Sequence, residues 1–166
     1  METRGGQAGF GPVYAPGSKA LILGTYPSPK SFEAGFYYGH ARNRFWPLLA
    51  ALAGRALPED IPQKTALVLE TGLALWDVLE RCEITGAQDS SIRAAQPNDI
   101  AALVRQTQIE AVFCNGAAAH RLYSRHCQAA TGLAAVRLPS TSPANAAFSF
   151  QRLLAAWQPL RAYMDL

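Results

Sequence analysis

Short runs of consecutive apolar residues alternate along this chain with segments in which apolar residues recur every three or four positions. The first run, ALILGTY at residues 20–26, is closed by a glycine, turn residues and two prolines, which predicts a buried strand ending in a loop. Residues 45–52 carry apolar side chains on one stripe of a predicted helix, and Gly54 ends it. Pro47 suits an early helical position; if it is the first helical residue, Trp46 is the N-cap.

The segment QKTALVLETG at residues 63–72 is ambiguous, because its centre is continuously apolar. We prefer a helix that starts near Asp60 and Pro62 and ends at Gly72, which leaves LALWDVLE at residues 73–80 as a short strand. The remaining predicted elements are a loop at 90–96, a helix over 100–107 capped by Asn98 or Asp99, a strand over 109–116 that breaks at Asn115, a helix over 119–126, a strand over 133–140, and a helix after Ala144 with Pro159 inside or near its end.

This alternation of strands and helices predicts an α/β fold, in which a mostly parallel sheet is covered by helices on both faces. In such sheets, ligands collect at the carboxyl ends of the strands. Three predicted strand ends carry loop-type polar residues, at 24–28, 115–116 and 139–145, and we expect them to share one edge of the molecule.

The composition sets bounds on the class of protein. A chain of 166 residues that is 49% hydrophobic and 16% charged fits a single domain over 1–166 with a substantial core, in which residues 1–18 form a lead-in segment. A net charge of +3 and an isoelectric point near 8.9 permit an anionic partner such as nucleic acid without requiring one. The three cysteines match no metal framework and predict free thiols in a reducing compartment.

Several classes of protein are disfavoured by missing signals. No apolar run is long enough to span a membrane and residues 1–19 lack a signal-peptide core, so we expect a cytoplasmic protein without membrane contact. The phosphate-binding motifs G-x-x-x-x-G-K-[ST] and G-x-G-x-x-G and the nucleophile motif G-x-S-x-G do not occur. The histidines are scattered, which disfavours a metal, and the acidic residues, Asp77 among them, form no obvious pair.

Residues 24–46, GTYPSPKSFEAGFYYGHARNRFW, hold more aromatic rings than a glycine-broken loop needs for packing. A tyrosine in a glycine-flanked turn can form the wall of a slot for a planar ligand, and stacking of a base on such a ring contributes roughly 1–3 kcal/mol. Asn43 adds an amide with both donor and acceptor, which reading the edge of a nucleobase requires. The alternative is that Asn43 is a turn or helix-capping residue.

A second polar loop, LPSTSPAN at residues 138–145, combines three hydroxyls with two stiffening prolines and leads into the last predicted helix. Hydroxyls, backbone N–H groups and a helix N-terminus all bind phosphate, so the loop predicts a phosphate clamp. The alternative is an ordinary turn with Ser142 or Asn145 as helix cap. Together the two loops suit a base pocket beside a phosphate clamp.

Four stretches resemble the uracil-DNA glycosylase superfamily, and in particular its hypoxanthine (deoxyinosine) DNA glycosylases. They are GTYPS at 24–28, YYGHARNRFW at 37–46, GLALWDVL at 72–79 and PSTSPA at 139–144. The resemblance implies a three-layer α/β/α sandwich around a four-stranded, mainly parallel sheet. It also implies that a deaminated base is flipped from DNA and its N-glycosidic bond hydrolysed by water, by a monomer without metal, cofactor or lyase step.

The resemblance also implies roles for individual residues. Asn43 matches the asparagine that matters most in the hypoxanthine branch, and Tyr38 matches a stacking ring. Arg42 and Arg44 are candidates for steering and phosphate contact. The implied base-binding residues are Gly24, Thr25, Tyr26, Pro27, Tyr38 and His40, and the implied DNA-binding residues are Ser28, Arg42, Ser140, Thr141, Ser142, Pro143 and Asn145.

Three positions depart from the related enzymes. Tyr26 stands where mismatch-specific enzymes carry a catalytic asparagine, Leu138 where many members carry a histidine or asparagine, and Ser142 where an apolar wedge often stands. Two alternatives therefore stay open at the level of the sequence. One is a G/U mismatch-specific uracil-DNA glycosylase, and the other is a non-catalytic nucleic-acid- or nucleotide-binding domain on the same fold.

Overall fold

The computed structural model describes residues 3–85 and 91–166 of the chain. Within these ranges the strands are β1 (Thr3–Gly5), β2 (Ala20–Gly24), β3 (Leu73–Asp77), β4 (Leu79–Thr85), β5 (Arg93–Pro97), β6 (Ala111–Asn115) and β7 (Ala135–Leu138). The helices in the same ranges are α1 (Pro29–Ala34), α2 (Phe45–Ala53), α3 (Ile61–Glu70), α4 (Ile100–Arg105), α5 (Ala117–His126), α6 (Gln128–Thr131) and α7 (Phe150–Ala156), which a 3₁₀ segment (Gln158–Tyr163) follows. None of these helices is both long and apolar enough to cross a membrane.

The central sheet has four parallel strands in the order β3-β2-β6-β7. In its middle strand β2 every residue is buried, because both faces of the strand are covered. Ala20 and Ile22 belong to one hydrophobic core with α2, α3 and α7, whereas Leu21 and Leu23 belong to a second core with α4 and α5. The prediction of an α/β sandwich around a four-stranded parallel sheet is thus confirmed.

A small antiparallel sheet, in the order β1-β4-β5, corrects two sequence predictions. The predicted strand at 73–80 is two strands, since β3 ends at Asp77 and β4 starts at Leu79. The loop predicted at 90–96 contains most of β5, a strand of exposed and half-buried residues without apolar alternation. Ser90, the first residue of that predicted loop, lies outside the described residues.

The lead-in segment is built into the fold from residue 3 onward. Strand β1 pairs with β4, and Val13 exchanges two backbone hydrogen bonds of 2.9 Å with Leu75. Backbone carbonyls of this segment also accept hydrogen bonds from buried rings: Tyr26 donates to Gln7, Tyr37 to Phe10 and Gly11, and Trp76 to Phe10. Several rings of the 24–46 segment therefore serve to hold it against the lead-in.

Some helix ends agree with the sequence predictions and others do not. Asp60 caps α3, accepting from the Gln63 N–H at 2.9 Å, and Asp99 caps α4. Helix α2 starts at Phe45, so Arg44 and not Trp46 occupies its N-cap position.

The start of the C-terminal helix is a further correction. Ser149 caps α7, and its Oγ accepts from the Arg152 N–H at 3.2 Å. Neither Ser142 nor Asn145 is therefore a helix cap, and residues 139–149 form a separate loop. Pro159 lies in the 3₁₀ segment beyond this helix.

Candidate functional site

A cleft of about 770 Å³ opens at the carboxyl edge of the central sheet. The last residues of three strands line it: Gly24 of β2, Asp77 of β3 and Asn115 of β6. The aromatic segment and the hydroxyl-bearing loop close its sides, as expected for loops that follow parallel strands. The predicted site residues on the cleft wall are Gly24, Thr25, Tyr26, Pro27, Ser28, Tyr38, His40, Asn43, Ser140, Thr141, Ser142 and Pro143.

Asn43 is held in one orientation by a relay of hydrogen bonds. Its Oδ1 accepts from the Phe45 N–H and from the Thr141 hydroxyl, each at 2.9 Å. Thr141 Oγ1 in turn accepts from Asn115 Nδ2 at 3.0 Å, and the Thr141 N–H donates to Asn115 Oδ1 at 3.0 Å. Because both donors to Asn43 meet Oδ1, the amide cannot flip without losing them.

The donor side of the Asn43 amide stays available. In the ranges 3–85 and 91–166, Nδ2 has no hydrogen-bond partner, and the residue lines the cleft. The bond from the Phe45 N–H also makes Asn43 a turn residue at the start of α2, which is the structural role that the sequence suggested as an alternative. This role uses only the amide oxygen, so it is compatible with a role of the amide N–H in binding a base. One side chain thus orders the helix start and presents a fixed N–H donor.

Tyr38 combines a strained backbone with a hydroxyl that lacks a partner. Its φ of 54° lies in the left-handed region, which aromatic residues rarely adopt. Its ring stacks on Phe45 with 4.1 Å between the centroids, so one face is occupied and a base can stack only on the other. Its hydroxyl is buried and has no partner among the described residues.

Tyr26 occupies the position of the missing amide, but its side chain turns toward the lead-in segment. The ring is 9% exposed, packs edge-on against Phe32, and donates its hydroxyl to the Gln7 carbonyl at 2.6 Å. The prediction that Tyr26 binds the base therefore applies to its main chain alone. The N–H groups of Thr25 and Tyr26 have no acceptor among the described residues, and both residues line the cleft.

The hydroxyl-bearing loop is braced from inside by Arg44. Its guanidinium donates to the carbonyls of Ser142 and Asn145 at 3.0 Å each, and also to that of Phe148. These carbonyls take three of the five guanidinium N–H groups, so Arg44 braces the loop, and its contact with phosphate stays a prediction. The structure gives Arg42 no comparable contact: its side chain is exposed and unpaired within the described residues, and lies outside the cleft wall.

Two residues of the predicted DNA-binding set have other roles in the structure. Thr141 is completely buried and its polar atoms are used by Asn43 and Asn115, so it positions side chains and does not meet phosphate. Asn145 donates its Nδ2 to the Ser140 carbonyl at 3.0 Å and lines a smaller recess beside the cleft.

The remaining predicted residues keep surfaces toward the cleft. Ser28 caps α1, accepting from the Ser31 N–H at 3.2 Å, and His40 Nδ1 accepts from the Arg42 N–H at 3.0 Å. Ser140 and Ser142 accept from backbone N–H groups of their own loop and keep their hydroxyl protons free to donate.

Sequence reasoning missed Asp77 at the centre of this site, and it placed Asn115 at the ligand edge without assigning it a role. Asp77 is 5% exposed, its Oδ2 has no partner in the described ranges, and burial raises the pKa of its carboxyl to about 7. A search for paired carboxylates passed over it. The signal that could have found Asp77 is position, since it is a polar residue at the end of a buried strand on the predicted ligand edge, as Asn115 is.

Comparisons with known proteins agree with this architecture. Residues 12–161 match the family model of the uracil DNA glycosylase superfamily. A hypoxanthine DNA glycosylase of Methanosarcina acetivorans is 32% identical over 146 residues, which is 87% of this chain and 91% of that protein. A hypoxanthine DNA glycosylase of Methanosarcina barkeri is 33% identical over 96 residues, which is 57% of this chain and 61% of that protein.

The fold is also similar to a solved structure. A solution NMR structure from Methanosarcina acetivorans, of a protein provisionally named a uracil DNA glycosylase, aligns with a TM-score of 0.78 at 29% identity. The alignment covers 93% of this chain and 98% of that chain. The similarity therefore extends over most of both chains.

Proposed function

This chain belongs to the uracil-DNA glycosylase superfamily, and on that premise we propose that it is a DNA glycosylase that removes deaminated bases, above all hypoxanthine, from DNA. Two relatives named hypoxanthine DNA glycosylases, at 32% and 33% identity, support the choice of base. The observation that carries the proposal is the Asn43–Thr141–Asn115 relay, which holds a free amide donor on the wall of a cleft at the ligand edge of the sheet.

Access to the glycosidic bond requires that the base leave the DNA stack. A cleft of about 770 Å³ has room for one flipped nucleotide and part of its backbone. In the proposal the base stacks on the free face of Tyr38, a contact worth roughly 1–3 kcal/mol, which offsets part of the energy of unstacking. Ser28, Ser140 and Ser142 contact the flanking phosphates, and the exposed Arg42 adds a positive charge outside the cleft.

Hydrolysis breaks the bond between C1′ of the sugar and N9 of hypoxanthine, and the bonding electrons leave with the base. A water oxygen adds to C1′ and its proton passes to solvent. Negative charge develops on the base, so fixed N–H donors stabilise the transition state more than the bound substrate. Asn43 Nδ2 and the N–H groups of Thr25 and Tyr26 are the donors we assign to this task.

The difference from related enzymes at Tyr26 is consistent with this assignment of donors. Tyr26 stands where related enzymes carry an amide and its ring is buried, so we assign the amide donor of this cleft to Asn43. Catalysis then rests on leaving-group stabilisation and positioning, and we expect slower uracil release than in enzymes that keep that amide.

The test is base release from a labelled duplex with a single deoxyinosine. Incubation followed by alkali should give one strand break at the lesion, and incubation without alkali should give none, because a glycosylase without lyase activity leaves an intact abasic strand. Duplexes with deoxyuridine, deoxyxanthosine or undamaged adenine serve as comparison substrates. If none of the deaminated bases is released under single-turnover conditions, the proposed activity is wrong.

A further inference from the structure

Two buried polar groups in the cleft have no partner in the described part of the chain, and they lie beside each other. Asp77 Oδ2 and the Tyr38 hydroxyl are both inaccessible and unpaired, and both residues line the cleft. A β-carbon built on Gly24 would lie 2.5 Å from Asp77 Oδ1 and 2.9 Å from the Tyr38 hydroxyl, so the missing side chain of Gly24 keeps this corner open. Buried polar groups are nearly always hydrogen-bonded, and a pair of exceptions in a cleft indicates a ligand.

No positively charged side chain among the described residues forms an ion pair with the Asp77 carboxyl. The ion pairs within residues 3–85 and 91–166 join Lys19 to Asp165, Lys30 to Glu33 and Arg55 to Glu70. Desolvation of the charged form raises the pKa of Asp77 to about 7, and that of Tyr38 is raised as well. The titratable and charged groups near the Asp77 carboxyl are Tyr26, Tyr37 and Tyr38 of the aromatic segment, Cys114 of β6 beside Tyr38, and Arg4, Lys30 and His40 on the cleft wall.

An un-ionised carboxyl differs from a carboxylate in the partners that it accepts. It carries one O–H donor beside one carbonyl acceptor, whereas a carboxylate only accepts. Deaminated bases share a lactam edge, a ring N–H next to a carbonyl: N1–H and O6 in hypoxanthine, N3–H and O4 in uracil. The un-ionised carboxyl can form two hydrogen bonds with this edge, one donated by its O–H and one accepted by its carbonyl oxygen.

We propose that the Asp77 carboxyl, kept un-ionised by its burial, binds the lactam edge of the flipped base. The carboxyl carbonyl accepts the ring N–H, and its O–H donates to the exocyclic oxygen. This inference rests on the proposed function and assigns the group that recognises the base in that same cleft.

The neutral form also matters for the chemistry. The leaving base gains negative charge as the glycosidic bond breaks, and a donor on its exocyclic oxygen stabilises that charge. An ionised Asp77 would remove the donor and place a second negative charge against the leaving base. Activity should therefore decline as the carboxyl loses its proton.

The test compares Asp77→Asn with Asp77→Leu. Asparagine keeps one donor and one acceptor at every pH, whereas leucine has similar bulk and keeps neither. Single-turnover release of hypoxanthine should fall about tenfold per pH unit above the carboxyl pKa in the wild type and stay level from pH 6 to 8, below the pH at which the lactam N–H of the substrate ionises, in Asp77→Asn. At pH 6, Asp77→Leu should be roughly 100-fold or more slower than the wild type, and its rate should not change with pH.

A change on the substrate gives an independent readout. A duplex with unsubstituted purine deoxyriboside lacks both the ring N–H and the exocyclic oxygen of hypoxanthine. The wild type should release hypoxanthine faster than purine, and Asp77→Leu should lose most of that preference. A variant that is only misfolded would slow both substrates alike, and circular dichroism checks that the three proteins fold.

The outcomes separate the inference from the proposed function. A wild type that is inert on every deaminated base overturns both. A wild type that is active, with an Asp77→Leu variant of equal rate and unchanged substrate preference, overturns the inference alone. An alkaline decline that persists over the same pH range in Asp77→Asn also overturns it, because the titrating group is then another one.

Discussion

At the scale of single residues, the site depends on side chains that are positioned by others. Asn43 presents its amide because Thr141 and the Phe45 N–H hold its oxygen, and Thr141 is in turn fixed by Asn115. The sequence pointed to Asn43 as the reacting amide, but it placed Thr141 on the DNA surface. Thr141 and Asn43 are 98 residues apart in the sequence, and a hydrogen bond over that separation produces no local sequence pattern. The positioning role of Thr141 is therefore visible only in the structure.

Replacing Thr141 tests this positioning role. Thr141→Val keeps the shape of the side chain and removes the hydroxyl that orients Asn43, so kcat should fall roughly 10- to 100-fold while KM changes little. Thr141→Ser keeps the hydroxyl and should restore most of the rate. Asn43→Ala removes the donor itself and should show a larger loss with DNA binding retained. Equal activity of the valine and serine variants would remove Thr141 from the relay.

At the scale of elements, the sequence predicted those parts whose signal is local. The buried strand β2 and the apolar stripe of α2 have clear periodicities, and Asp60 and Asp99 mark helix starts by their capping chemistry. Strand β5 was missed, because its residues gain order from pairing with β4 and not from apolar alternation. The boundary between β3 and β4 was missed because the run of apolar residues continues through it.

The bracing of the 139–149 loop by Arg44 leads to an element-scale prediction. If the guanidinium only braces the loop, Arg44→Met should lower the melting temperature by several degrees and slow catalysis, because Ser142 and Asn145 lose their shared donor. The salt dependence of DNA binding should keep its slope. The matched control is Arg42→Met at an exposed, unpaired arginine, where the slope should drop by about one if Arg42 meets phosphate. A reduced slope in Arg44→Met would return that residue to the DNA surface.

At the scale of the whole molecule, the fold buries the Asp77 carboxyl in the cleft, and the free energy of unfolding therefore depends on whether that carboxyl is protonated. A carboxyl whose pKa is raised from 3.8 to about 7 binds its proton more tightly in the folded chain than in the unfolded chain. The free energy of unfolding therefore decreases as pH rises from about 4 to about 7 and is level above that range. The upper bound of the effect is on the order of 4 kcal/mol.

Asp77→Asn isolates this contribution, because asparagine does not titrate and all other groups cancel in the difference between variant and wild type. Below about pH 4 the wild type and the variant should be similarly stable, since the carboxyl is then neutral in both the folded and the unfolded chain and buries a surface similar to that of the amide. At pH 8 the variant should be more stable, by a few kcal/mol at most, since the folded wild type then holds an ionised, unpaired carboxyl. Urea unfolding at several pH values measures the difference, with Glu33→Gln at an exposed carboxylate as a control that should change little with pH. Parallel stability curves for Asp77→Asn and wild type would mean that Asp77 ionises freely, and the un-ionised carboxyl that binds the lactam edge would be lost with it.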